Sequence, residues 1–281
     1  MKIKILGCGN AFSKLNYNQC FMLTENCKNM LIDFGSKAPM ALDNAGVNIF
    51  DIDAVYISHQ HGDHVGGLEE MAFTRYDWMN RPEHWKEAPN EYAPKLFAQK
   101  ELMKNLWKKS LSGGLESMEG FDATLETFFE AKPVTKSFTW EGWNFELIQQ
   151  VHIMTGSMIS NTFGLLMTKD KHKTVYFTTD SQFNSPHQVQ VFYKKADIIF
   201  QDCECLPFKS GVHANYMELA GYPEANATVY HKELRAKMWL SHYQDFVTQG
   251  KGFDGKPCDW HKKAKDDGFK GFVKVGQTME V

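Results

Sequence analysis

The chain has 281 residues, of which 43% are hydrophobic and 14% aromatic, so it can bury a large core. Its 31 basic and 34 acidic side chains give a formal charge of −3, which argues against a chain-wide basic surface for nucleic acid and leaves a local basic patch open. No apolar run reaches the roughly 20 residues that span a bilayer, and the first residues resemble a strand and a glycine turn rather than a secretion signal. With its six cysteines in no zinc-ribbon spacing, we expect a cytoplasmic protein with reduced thiols and no membrane partner.

Short strands alternate with helices along the chain, without internal repeats or low-complexity linkers. Apolar or alternating runs predict strands near residues 2–7, 20–25, 29–34, 53–58, 95–99, 144–151, 162–168, 174–178, 197–202, 237–241 and 271–275. Helical patterns lie near residues 38–46, 66–75, 100–111, 186–195, 215–219 and 228–235. Tight turns, such as the one between strands 20–25 and 29–34, make neighbours antiparallel. The sequence therefore predicts a single α/β domain over residues 1–281 with mixed sheets.

One segment, at about residues 71–93, departs from this pattern. It reads MAFTRYDWMNRPEHWKEAPNEYA and carries five aromatic residues and two prolines without a clear period. Two interpretations remain open: a loop or short helix that acts as a lid, or a surface insertion that packs its own aromatic side chains.

The stretch YISHQHGDHVGG, residues 56–67, places three histidines and an aspartate directly after an apolar run. In an extended segment His59, His61 and Asp63 project to one side, and Gly62 permits the turn that brings His64 round. Imidazole and carboxylate are the ligand types of zinc and similar divalent ions. The pattern therefore predicts that one loop supplies several ligands of a metal centre.

Further ligands must come from other strand ends, and three residues fit. His152 follows FELIQQV, Asp180 ends TVYFTTD, and His242 lies in KMWLSHY. Taken singly, each has an ordinary explanation as a cap or turn residue. Their order and spacing around the first motif favour a shared site.

These motifs together resemble the metallo-β-lactamase superfamily, and within it the tRNase Z-like phosphodiesterases. Matching segments run nearly end to end: KIKILGCGNAFSKLNYNQCFML, KNMLIDFG, DIDAVYISHQHGDHVGGL, VHIMTG, TVYFTTDSQF, ADIIFQDCE, GVHANYMEL and AKMWLSHYQD. The resemblance implies an αββα sandwich, in which helices flank two mixed β-sheets and a dinuclear site lies along one edge. It assigns His59, His61 and His152 to one divalent ion, and Asp63, His64 and His242 to the other, with Asp180 bridging them. Zinc is the expected metal, and manganese is the alternative.

The resemblance also implies a metal-dependent hydrolase that cleaves a phosphodiester by attack of a hydroxide shared between the ions, with Asp63 and His213 as catalytic residues. His213, in GVHANYMEL, matches a histidine proposed to protonate the leaving group, and a helix-capping or surface role is its alternative. Asp202 matches an acidic residue that supports the ligands. Gln201 stands where tRNase Z usually has histidine. Because glutamine cannot shuttle protons, this difference leaves His213 as the best-placed donor.

The substrate is predicted from what the chain lacks. Only 21 residues separate Asp180 from Asp202, and they contain no glycine- and proline-rich arm of the kind that docks tRNA. After HGDHVGGL the chain also departs from the GLPGLL usual in tRNase Z. We therefore predict a small phosphodiester, above all a cyclic nucleotide, as for the phage-encoded anti-Pycsar enzymes that the chain also resembles. An RNA 3′-end endonuclease is the main alternative, and other hydrolysis (of a lactam or a thioester) or a silent binding module is disfavoured. Related phosphodiesterases imply a homodimer.

Overall fold

The structure is a computed structural model that describes residues 1–79, 93–182, 186–223 and 232–281, without the side chains of residues 78, 79 and 186–189. Its strands are β1 (Lys2–Gly7), β2 (Cys20–Glu25), β3 (Lys28–Ile32), β4 (Ala54–Ile57), β5 (Lys95–Gln99), β6 (Ser117–Met118), β7 (Phe121–Asp122), β8 (Glu130–Val134), β9 (Ser137–Trp140), β10 (Trp143–Thr155), β11 (Met158–Thr168), β12 (Val175–Phe177), β13 (Ile198–Asp202), β14 (Met238–Ser241), β15 (Gly271–Phe272) and β16 (Thr278–Glu280).

The helices are short. They are α1 (Ala38–Asn44), α2 (Gly62–Val65), α3 (Leu68–Met79), α4 (Lys100–Leu106), α5 (Ser112–Leu115), α6 (Leu125–Phe128), α7 (Pro186–Lys195), α8 (Tyr216–Ala220), α9 (Lys232–Arg235), α10 (Asp245–Thr248) and α11 (Trp260–Asp266), with a 3₁₀ turn at Ile49–Asp51 and a π-helical turn at Trp107–Leu111. Within the described ranges, no helix combines the length and the apolar character needed to cross a bilayer.

The chain divides into two compact units. The first unit comprises Met1–Gly7, Tyr17–Lys136 and Thr278–Glu280, and the second comprises Cys8–Asn16, Ser137–Gln277 and Val281. Each unit carries one large mixed sheet. The single domain expected over residues 1–281 stays a prediction.

The sheet of the first unit has seven described strands in the order β16-β1-β2-β3-β4-β5-β8. Strands β2 and β3 are antiparallel, as the tight turn predicts, whereas β3, β4, β5 and β8 run parallel. All four residues of β4 are buried, which explains its unbroken apolar sequence. Because β3 and β4 are parallel, the residues that follow them emerge at the same edge of the sheet.

The sheet of the second unit has seven described strands in the order β15-β14-β13-β12-β11-β10-β9. Strands β9 to β12 form an antiparallel meander, and β12 to β15 are parallel. Helix α7 lies in the crossover between β12 and β13, as a parallel pair requires. The residues at the ends of β12, β13 and β14 therefore meet at one edge, and this edge carries Asp180, Asp202 and His242.

All eleven predicted strands are present, β1, β2 and β5 with the predicted ends and the others with shifted ends. The edge strands β8, β9 and β16 and the small pair β6 and β7 were not predicted. Strand β8 reads EAKPV, and Pro133 pairs with Ala98 of β5 on the outermost strand, where a missing amide proton is tolerated. Within the segment 71–93, residues 71–79 complete helix α3, which extends the helix predicted over residues 66–75. The rest of that segment, residues 80–92, lies outside the described residues.

Candidate metal centre

The histidine motif of the first unit forms a compact cluster. His59 follows β4, and His61 precedes helix α2, which contains Asp63 and His64. The Nε2 atom of His59 lies 3.0 Å from Nδ1 of His61, and the rings of His59 and His64 are 4.1 Å apart. Asp63 Oδ2 lies 3.4 Å from His64 Nε2. The prediction that this motif gathers its polar side chains is confirmed.

The turn that gathers them does not depend on Gly62, and that part of the prediction is wrong. Gly62 is the first residue of helix α2 and is not among the residues with positive φ. A Cβ atom added to Gly62 would meet no atom within 4 Å. The required glycine is Gly35, where a Cβ would lie 1.8 Å from the carbonyl oxygen of Asp63. The helix itself makes the turn, and Gly35 lets the backbone after β3 approach it.

A buried carboxylate that the sequence analysis missed, Asp33, organises this cluster. Its Oδ1 accepts a hydrogen bond from the Ser58 amide at 2.8 Å, and its Oδ2 accepts from the Ser58 hydroxyl at 2.8 Å. The Nδ1 atom of His64 donates to the same Oδ2 at 2.8 Å. The signal was present, because Asp33 directly follows the strand in KNMLIDFG, but its partners depend on the pairing of β3 with β4.

These contacts set the proton positions on two imidazoles. Ser58 has a single hydroxyl proton and donates it to Asp33. The Ser58 oxygen therefore accepts a hydrogen bond from His59 Nδ1, 3.0 Å away. His59 therefore carries a proton on Nδ1, and the neutral ring keeps a lone pair on Nε2. His64 Nδ1 donates to Asp33, so in a neutral ring the lone pair would lie on Nε2, which faces Asp63. This is the form in which histidine binds metal ions.

We expect Asp33→Ala to lower the free energy of unfolding of the metal-free protein by about 2–4 kcal/mol. The side chain of Asp33 is fully buried, so its loss leaves the Ser58 amide, the Ser58 hydroxyl and His64 Nδ1 with a missing acceptor. Urea denaturation measures this change. Asp33→Asn retains one acceptor oxygen and suits the φ of 61° at this position, so it should lose less. An unfolding midpoint of Asp33→Ala equal to wild type would contradict the assigned role.

The second unit gathers a second group of ligand-type side chains. The ligand atoms of Asp180, Asp202, His213 and His242 all lie within 4.8 Å of one another. His242 Nε2 is 3.4 Å from Asp180 Oδ1, and His242 Nδ1 is 3.5 Å from Asp202 Oδ1. Except for His213, these side chains are buried. Two carboxylates in a buried site favour a positive charge between them.

His152 joins this group through an irregularity in β10. Val151 pairs with Asn161 and Ile153 with Ser160, so His152 is an extra residue of a β-bulge. Its Nδ1 donates to the Val212 carbonyl at 2.9 Å, and its Nε2 lies 3.8 Å from Asp180 Oδ2. Burial lowers the pKa of His152 below its usual value, although the nearby Asp180 opposes this shift. The ring is therefore neutral at physiological pH, with the lone pair of Nε2 toward Asp180.

The backbone at His242 is strained. Its φ of 63° lies in the left-handed region, which costs a non-glycine residue about 1–3 kcal/mol. The conformation is held by the hydrogen bond from the His242 amide to the Cys8 carbonyl at 2.8 Å. Strain of this kind is characteristic of functional positions.

His213 lies on the segment between β13 and α8, beside the rings of His242 and His152 at 4.7 and 5.2 Å. Its side chain is 19% exposed, and its Nδ1 donates to Asp202 Oδ2 at 3.0 Å. Burial alone would lower the pKa of His213, but the charge of Asp202 and this hydrogen bond raise it to about 9. His213 therefore carries a proton at neutral pH and holds Nε2–H for donation.

Gln201 is separated from this chemistry. It precedes Asp202 in β13, so the two side chains project to opposite faces of the sheet. Its Oε1 accepts from the Tyr193 hydroxyl at 2.7 Å, in the core. Sequence analysis missed Gln182, whose Nε2 donates to the carbonyls of His152 at 3.0 Å and Gly211 at 2.6 Å. Gln182 thereby fixes the two segments that carry His152 and His213.

Comparison with known proteins places this geometry in a family. A family model described as Anti-Pycsar protein Apyc1 matches residues 1–279. The Anti-Pycsar protein Apyc1 of Paenibacillus harenae is 32% identical over 258 residues, covering 91% of this chain and 95% of that protein. The metallo-β-lactamase fold protein YhfI from Bacillus subtilis matches with a TM-score of 0.69 at 18% identity, over 100% of this chain and 99% of that one. Human tRNase Z, short form, gives 0.61 at 14% identity, over 100% and 99%.

The chain has the metallo-β-lactamase fold, and its histidine–aspartate clusters are groups that could hold metal ions. The resemblance and the fold class predicted from the sequence are both confirmed. Within that superfamily, the chain belongs to the Apyc1 family of anti-Pycsar proteins.

Proposed function

We propose that the protein is a dinuclear metal phosphodiesterase that hydrolyses a cyclic nucleotide. The observation that carries this proposal is the set of three imidazoles, each with one nitrogen fixed by Ser58, Asp33 or Val212, in a chain of the Apyc1 family. Such bonds orient the opposite nitrogen for a metal ion. The proposal places this activity in the cytoplasm, where the protein would meet its nucleotide substrate.

We assign the ligands as the resemblance implies. His59, His61 and His152 would hold one divalent ion, Asp63, His64 and His242 would hold the other, and Asp180 would contribute to both. Imidazole nitrogens and carboxylate oxygens, without thiolate, are ligands that suit zinc and, as the alternative, manganese. All seven residues are of ligand type, and the described clusters present nitrogen and carboxylate oxygen atoms close together within each unit.

The residues around the ligands perform the remaining chemistry. When bound, the two ions lower the pKa of a water molecule and neutralise the charge that develops on the phosphate. Asp63 orients the attacking water through its carboxylate. His213 donates its Nε2 proton to the departing ribose oxygen, while Asp202 holds the opposite nitrogen and stabilises the imidazolium.

A small substrate is favoured over RNA by the connection between Asp180 and Asp202. Its described part consists of residues 181–182, helix α7 and the turn into β13, with residues 183–185 outside the description. This leaves no length for a projecting tRNA-binding arm. The similarity to human tRNase Z supports the shared fold alone, because the identity is 14%.

The decisive experiment is an assay of the purified, metal-loaded protein against cyclic mononucleotides, cyclic dinucleotides and a precursor tRNA. We expect hydrolysis of a cyclic nucleotide to a linear monophosphate, detected by chromatography, and its loss on chelation. Cleavage of the precursor tRNA with no action on cyclic nucleotides would replace the proposal with an RNA endonuclease.

We also expect a homodimer in solution, because related phosphodiesterases pair. Multi-angle light scattering at micromolar concentration should report about twice the 32.3 kDa of one chain. A mass of one chain at that concentration would contradict this prediction without affecting the proposed chemistry.

A further inference from the structure

The loop Cys8–Asn16 is joined to the end of β14, where the metal-binding candidate His242 lies. The amide of His242 donates to the Cys8 carbonyl at 2.8 Å, and the amide of Asn10 donates to the Tyr243 carbonyl at 3.2 Å. The loop then closes on itself, since the Cys8 amide donates to the Asn16 carbonyl at 3.0 Å. Both the start and the end of this loop are therefore fixed near His242.

A single carboxylate, Asp245, fixes the second half of the loop. It accepts hydrogen bonds from the Ser13 hydroxyl, the Lys14 amide at 2.6 Å, the Leu15 amide at 3.3 Å and the Asn16 side-chain amide at 3.2 Å. Asp245 begins helix α10, three residues after His242. The loop is thus preorganised against the same strand end that supplies a ligand.

This fixed loop holds an aromatic side chain in solvent. Phe12 is 83% exposed, although its amide is bound to Asn10 Oδ1 at 3.1 Å. An exposed apolar residue is ordinary by itself. Phe12 differs because hydrogen bonds fix its loop to the end of β14, which carries His242. Its ring nevertheless packs against little of the protein. A flat ligand could therefore bind this ring without reorganising the loop.

We propose that Phe12 is the surface on which the base of the nucleotide stacks. This inference rests on the proposed function and adds a specificity residue to it. Every nucleobase has a π face, so Phe12 selects phosphodiesters that carry a base and contributes little to the choice among bases. The backbone that carries the ring is already fixed by the hydrogen bonds of the loop, so binding costs little backbone entropy.

The test compares Phe12→Leu with Phe12→Trp on two substrates, a cyclic mononucleotide and the corresponding ribose 3′,5′-cyclic phosphate without a base. Phe12→Leu should raise KM for the cyclic nucleotide about 5- to 150-fold, the stacking contribution of one base. It should leave KM for the abasic substrate and the metal content unchanged. Phe12→Trp should retain the wild-type KM, because tryptophan also presents an aromatic face. Leu15→Ala, which alters an exposed neighbour in the same loop, is the matched control and should change neither substrate.

The outcomes separate the two proposals. If wild type hydrolyses the cyclic nucleotide and Phe12→Leu has an unchanged KM, or changes both substrates equally, the stacking role is overturned and the phosphodiesterase stands. If wild type hydrolyses no cyclic nucleotide, the proposed function is overturned, and the role of Phe12 is overturned with it.

Discussion

Asp180→Ala is expected to abolish hydrolysis, with a loss of about 10⁴-fold or more in kcat, and to remove bound metal from the protein. Asp180 is buried at the end of the β12 segment, and its two carboxylate oxygens face His242 Nε2 at 3.4 Å and His152 Nε2 at 3.8 Å. In the proposed site it is the residue that binds both ions. Without this carboxylate, the charge of the ions is poorly compensated, and the activated water that they supply is lost.

The measurement is metal content by mass spectrometry after gel filtration, together with kcat on the cyclic nucleotide. Asp170→Ala is the matched control, because Asp170 is an exposed carboxylate of the same unit, and it should retain both metal and activity. Circular dichroism checks that Asp180→Ala remains folded. A folded Asp180→Ala protein with two ions per chain and wild-type turnover would exclude the bridging role.

The positions of the polar residues at the edge of the second sheet could be predicted, because each one follows or ends an apolar strand. Asp180, Asp202 and His242 each follow or end a parallel strand, and the ends of parallel strands meet at one edge. The sequence shows the apolar run and the polar residue after it, so the position of each is readable. The motif of the first unit is readable for a simpler reason, since its members are close along the chain.

Other features depend on pairing and could not be predicted. His152 is buried because a bulge shifts the register of β10 against β11, and no residue in FELIQQVH marks that shift. Asp33 meets Ser58 and His64 only after β3 and β4 pair. Strand β8 has a proline and charged residues, so its sequence argues against a strand, and its pairing with β5 overrides that local preference.

Three of the candidate ligand histidines, His59, His64 and His152, share one feature. In each, the nitrogen that does not face a ligand-type neighbour is bound by a group of the protein: a hydroxyl, a carboxylate or a backbone carbonyl. His213 differs, because its partner Asp202 keeps it protonated. A protonated imidazole cannot bind a metal ion, and for this reason the proposed mechanism uses His213 as a proton donor rather than as a ligand.

His213→Ala should therefore bind metal normally and lose about 10²–10⁴ in turnover of the natural substrate. The loss should shrink for a nitrophenyl phosphodiester, because its phenolate leaves without a proton. His242→Ala is the comparison, and it should lose metal and affect both substrates alike.

The pKa of His213 is raised to about 9 by Asp202, so the donor is protonated below that pH and wild-type kcat should fall as the pH rises through the pKa of His213. Cations at the site would lower that pKa, which moves the fall to lower pH. The fall should be absent in His213→Ala, since the remaining activity no longer depends on this proton. Equal losses on the natural and the activated substrate would remove the acid role and leave His213 as a phosphate-binding or structural residue.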